Sequence, residues 1–84
     1  MYRVTFNAHA ARAFRKLSRQ VQERLQPTID ALATNPRPFA IEKLAGTKDT
    51  YRVRVGDYCI LYGKYDNVLL VVLVEIAHRR EVYR

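Results

Sequence analysis

The sequence predicts an α+β domain: an N-terminal strand, a two-helix hairpin, then a mostly antiparallel β-sheet, in the order β-α-α-β-β-β. Three observations predict it. Residues 2–6 alternate apolar and polar, residues 10–32 carry apolar side chains at helical spacing, and residues 51–77 return to strand patterns broken by turn residues. Eighty-four residues suit one domain spanning 1–84. Helices gathered on one face of the sheet satisfy this order.

Each element has a local reason. Tyr2 to Phe6 read as a half-buried strand. Asn7 follows as a helix cap, its side chain accepting from an otherwise orphaned N–H. Ala10, Phe14 and Leu17 share one face of that helix; Arg12, Arg15, Lys16 and Arg19 take the other. Ser18 restarts the helix, and Val21, Leu25, Ile29 and Leu32 recur at helical spacing. Pro27 falls inside that pattern, where it removes a hydrogen bond and crowds the preceding turn, so a kink or a break between residues 23 and 27 is expected. "TNPRPF" (34–39) ends the helical region, and a loop should run from Asn35 to about Asp49.

The second half reads as strands. Residues 51–55 alternate, Gly56-Asp57 is a two-residue hairpin signal, and Tyr58 to Lys64 form the return strand. Asp66-Asn67 makes the next turn, and Val68 to Ala77 is apolar enough for a central strand buried on both faces. A two-residue hairpin fixes the register: Val55 faces Tyr58, Arg54 faces Cys59, Val53 faces Ile60 and Arg52 faces Leu61. Arg52, Arg54 and Cys59 then line one side, and Tyr51, Val53, Ile60 and Tyr62 the other. If the apolar side meets the helices, the arginine side is open. The strand ending at Ala77 leads into His78, Arg79, Arg80 and Tyr83. Several arginines converging on one face would bind phosphate oxygens in two-point geometry.

Charge and composition narrow the function classes. A net charge of +7 and a pI near 10.0 favour a polyanion or an acidic protein partner, against the plainer reading of a solubilising surface. Cys59 is the one cysteine, so no intrachain disulfide is possible; it reads as inert packing more readily than as a nucleophile. His9 and His78 with one cysteine make no convincing zinc set, and Gly46, Gly56 and Gly63 are too scattered for a phosphate loop. His9 reads as a surface residue. The apolar run Val68 to Val74 is too short to span a bilayer, and Met1-Tyr2-Arg3-Val4 runs straight into strand-like alternation, without a secretory leader. A soluble, cytoplasmic protein without a cofactor is expected.

"YRVRVGDYCILY" (51–62), an apolar strand and "HRREVY" (78–83), with "NPRP" (35–38) and "KLAG" (43–46), resemble the RelE branch of the RelE/ParE toxins. These are the toxin halves of bacterial type II toxin–antitoxin modules. The resemblance covers nearly the whole chain and implies a RelE-like, microbial-RNase-type fold. It implies a ribosome-dependent, metal-free endonuclease that cuts messenger RNA in the A site by attack of a ribose 2′-hydroxyl on the adjacent phosphate. The implied partners are the ribosome, mRNA and a small, acidic, RelB-like antitoxin, with operator DNA bound only through that antitoxin and no membrane. The exposed face of the helical hairpin and the outer sheet edge are candidate docking sites for it.

The resemblance also assigns residues. Arg52 and Arg54 match the two basic strand positions at the scissile region. Arg79 matches the residue that stabilises the pentacoordinate phosphate. Tyr83 matches the C-terminal tyrosine that orients or stacks on substrate, or transfers a proton. Lys43, Lys48 and Arg80 fit RNA-binding positions. Cys59 departs from the pattern, since this branch often carries arginine there; a thiol removes one cation from the phosphate cradle, with Arg80 or Lys64 as compensation. Arginines do not readily accept protons, so the general base stays open among Tyr83, His78 and Glu81. Two other readings compete: a ParE-like inhibitor of DNA gyrase, and a non-catalytic RNA-binding member of the family.

Overall fold

The computed structural model describes residues 1–36, 42–43 (backbone) and 50–78. Strand β1 (Arg3–Phe6) is followed by α1 (Ala8–Lys16) and α2 (Arg19–Thr34). Then come β2 (Glu42–Lys43), β3 (Thr50–Val55), β4 (Tyr58–Tyr65) and β5 (Leu70–His78). Among the described residues, five strands form one sheet in the order β1-β5-β4-β3-β2, and only the β1–β5 pair is parallel. The helices cover one face, where Ala10, Leu25, Ile29 and Leu32 pack with Tyr51, Val53, Ile60, Tyr62, Val71, Leu73 and Ile76.

The caps fall where the sequence places them. Asn7 Oδ1 accepts from the Ala10 amide at 2.8 Å, and Ser18 Oγ from the Val21 amide at 3.3 Å. Gln22 closes the hairpin: its Nε2 donates to the carbonyls of Phe14 (2.8 Å) and Leu17 (3.3 Å), satisfying the end of α1.

Four expectations need correction. First, the break expected between residues 23 and 27 does not occur: α2 runs on through Pro27. The carbonyl deprived of a donor belongs to Glu23; both residues are exposed, so water can serve it, while Leu25, Ile29 and Leu32 hold the helix to the core. Pro27→Ala should therefore raise stability by about 2 kcal/mol, the helix-propensity gain of about 3 less up to about 1 for the lost rigidity of the unfolded chain. A calorimetric Tm higher by several degrees would show it. Second, the expected loop from Asn35 to Asp49 contains β2, whose Glu42 and Lys43 pair with Arg52 and Tyr51. Third, β5 is interior as expected, between β1 and β4, but the middle of the sheet is β4. Fourth, Val68 belongs to a 3₁₀ turn at Asp66–Val68, after which Leu69 takes a left-handed φ of 50° before β5 begins.

That turn is tied to the start of the chain. The Tyr2 hydroxyl donates to Asp66 Oδ1, and Lys64 Nζ donates to both Asp66 oxygens at 2.7 and 2.9 Å. The hydrogen bond to Asp66 raises the pKa of Tyr2 and of Lys64 above their ordinary values. Both groups are thus held in their protonated forms, and their stabilisation is complete below the unfolded-chain values. It is lost as pH rises through the elevated folded values, above about 10. Asp66→Asn should flatten this alkaline decline, read from urea midpoints between neutral pH and pH 11.

Candidate functional site

The β3–β4 hairpin turns at Gly56, whose φ of 59° suits a residue without Cβ. Its register matches the sequence count at every position: Val55↔Tyr58, Arg54↔Cys59, Val53↔Ile60 and Arg52↔Leu61. Tyr51, Val53, Ile60 and Tyr62 enter the helix-covered core, so Arg52 and Arg54 project from the opposite face. Arg54 is exposed there and Arg52 is half-buried.

Cys59 lies across from Arg54 on this face, as expected, but it is only 1 % exposed. Its other neighbour is Ala77 of β5, also buried, and neither residue belongs to the core cluster on the helix side. The thiol is therefore enclosed and is not presented to a ligand.

Strand β5 carries an irregularity that the sequence pattern hides. Tyr62 pairs with Leu73, but Leu61 pairs with Glu75, leaving Val74 as an extra residue. Such a bulge shifts the two-residue period of every side chain beyond it. As a result Ile76 faces the helices and Ala77 shares the arginine side with Cys59. His78 pairs with Tyr58, and their rings meet edge to face at 5.2 Å. Tyr58 packs against the core, so His78 points away from Arg52 and Arg54.

The remaining candidates are less fully placed. Lys43 is known by its backbone, which pairs with Tyr51 at the β2 edge. Lys48, Arg79, Arg80, Glu81 and Tyr83 lie outside the described residues. Lys64, suggested as a compensating cation, is bound by Asp66 at the far end of β4 and does not join the arginine face. No described helix is long and apolar enough to cross a membrane.

A helical hairpin on one side of a bulged sheet, with two strand arginines on the other, defines a small basic α+β protein. The family described as the ParE toxin of the type II toxin-antitoxin system parDE matches residues 1–83. The mRNA interferase toxin RelE of Escherichia coli is 29 % identical over 98 % of this chain and 90 % of its own length. The crystal structure of isolated E. coli RelE superposes with a TM-score of 0.84 at 29 % identity, covering 99 % of this chain and 92 % of that one. RelE in the archaeal RelE-RelB complex from Pyrococcus horikoshii gives 0.81 at 29 % identity, covering 93 % and 94 %. The chain belongs to the RelE/ParE toxin superfamily, and its likeness is to the RelE toxins.

Proposed function

We propose that this chain is an endoribonuclease toxin that cuts messenger RNA in the ribosomal A site. The observation that carries the reading is the Arg52/Arg54 pair, held in register on the sheet face that the helices leave uncovered. Its relatives' activity supports the reading: the E. coli protein matched along 98 % of this chain is an mRNA interferase.

The chemistry needs no metal. The ribose 2′-hydroxyl gives up its proton and its oxygen attacks the adjacent phosphorus. The bond to the 5′-oxygen breaks, that oxygen takes a proton, and a 2′,3′-cyclic phosphate and a 5′-hydroxyl result. Arg52 and Arg54 stabilise the charge that builds on the phosphoryl oxygens, because a cation already in place costs no reorganisation as the charge forms. Arg79 joins them at the pentacoordinate phosphate, and Tyr83 orients the substrate or moves a proton. Lys43, Lys48 and Arg80 contact RNA. With His78 turned to Tyr58, the base is sought between Tyr83 and Glu81. The ribosome holds the message in reactive geometry, which offsets the weakness of the protein's own base.

An acidic, RelB-like antitoxin is the proposed partner, since its charge complements the +7 of the toxin; RelE is found with RelB in the P. horikoshii complex. A gyrase-directed activity is the second reading, favoured by the match to the ParE family description. Expression of the chain alone should stop protein synthesis within minutes while DNA supercoiling by gyrase continues. Unimpaired translation with blocked supercoiling would select the second reading instead.

A further inference from the structure

Strand β1 ends at Phe6, opposite Leu73, while β5 continues to His78. Helix α1 flanks this extension of β5, and between them lies a cleft of about 210 Å³ lined by His9, Arg12, Ala13, Lys16, Glu75 and Ile76. That is several times the roughly 30 Å³ a water occupies in the liquid, so a phosphodiester group fits. Arg12 and Lys16 stand four residues apart on one helix face, about 6 Å along its axis. Among the described residues neither makes a salt bridge, whereas Arg19 is held by Glu23 and Lys64 by Asp66. The one carboxylate lining the cleft, on Glu75, lies 3.8 Å from His9 Nε2 and is outnumbered by the two cations.

We propose that this cleft binds the sugar-phosphate backbone of RNA, with Arg12 and Lys16 each taking a phosphate. The inference rests on the reading of the chain as an RNA-cleaving toxin and adds a second contact surface to it. The cleft is close to the arginine face in the fold: Glu75 and Ile76 immediately precede Ala77, which pairs with Cys59 across from Arg54. One strand can therefore run from Arg54 around the part of β5 that β1, among the described residues, does not pair with, to α1. Lining chemistry favours RNA over an acidic protein. A protein interface needs apolar anchors at its centre, and here the apolar contribution is Ala13 and the nearly buried Ile76.

The test is binding of a 2′-O-methyl RNA 20-mer, which cannot be cut by 2′-hydroxyl attack, over a series of salt concentrations. Arg12→Ala/Lys16→Ala should make the slope of log K against log salt shallower by about 1.4, two single-strand phosphate contacts. Arg3→Ala/Arg15→Ala, which removes the same charge outside the cleft, should leave the slope unchanged. Glu75→Gln should tighten binding several-fold. Equal losses from both double variants would overturn the cleft in favour of diffuse attraction, as would an unchanged slope in Arg12→Ala/Lys16→Ala. Absence of RNA binding, with cleft-dependent binding of poly-glutamate, would reassign it to an acidic protein. Message cleavage by the unaltered toxin is scored separately: its loss removes the nuclease reading, while a cleft-dependent slope would still establish the RNA site.

Discussion

Replacing Arg52 and Arg54 together by alanine is expected to abolish growth arrest and to lower message cleavage by at least about 10³-fold. Removing one fixed donor from a developing oxyanion costs about 10²–10³ in rate, and the proposed mechanism sets both arginines on one phosphate. The fold should persist, because Arg54 is exposed and Arg52 half-buried on the face away from the core. The far-UV spectrum and urea midpoint of the double variant check this. Arg52→Lys/Arg54→Lys should recover only part of the rate, since an ammonium supplies charge without the planar two-point fork. Wild-type cleavage by the alanine variant would remove β3 from the site.

The second large effect concerns Tyr62, at the middle of the central strand. Its side chain is 0 % exposed, its ring stacks on Tyr51 at a centroid distance of 5.8 Å, and its hydroxyl donates to the Pro36 carbonyl. That bond fastens the end of α2 to the sheet. Tyr62→Ala should cost about 3–5 kcal/mol, the transfer and cavity penalty for a large aromatic. A domain of this kind has a total of about 5–15 kcal/mol, so much of the protein would unfold at 37 °C. Tyr62→Phe keeps the packing and leaves the Pro36 carbonyl without its donor, at about 1–2 kcal/mol. Urea midpoints of the two variants separate packing from the hydrogen bond; equal losses would contradict the division.

The hairpin was the most legible part of the sequence, because Gly56-Asp57 sets both turn and register within a few residues. From it the pairing of Arg54 with Cys59, and the opposite-facing core residues, follow by counting. The caps at Asn7 and Ser18 were legible for the same local reason. What was not legible depends on distant contacts. Pro27 is tolerated because tertiary packing holds the turns on either side of it. Strand β2 is two residues long and exists only by pairing with β3.

The bulge at Val74 was hidden most completely. "LLVVLV" (69–74) offers no polar residue to mark which side faces out, so an extra residue leaves no trace in the pattern. Glu75, directly after that run, is the one visible sign that the alternation changes. The consequence for the site is direct: the bulge sends His78 to Tyr58 and away from the arginines. The cleft beside α1 was half legible. Arg12 and Lys16 were placed on the polar face of the helix, but their meeting with Glu75 depends on where β1 stops.

The most direct measurement is cleavage of a message fixed on purified ribosomes, with a single 2′-deoxy nucleotide placed at the cut in the A-site codon. The all-ribose message should be cut once, only when ribosome-bound, leaving a 2′,3′-cyclic phosphate and a 5′-hydroxyl. The 2′-deoxy message should remain whole. Cutting of the 2′-deoxy message, or 5′-phosphate ends on the products, would contradict attack by the 2′-hydroxyl.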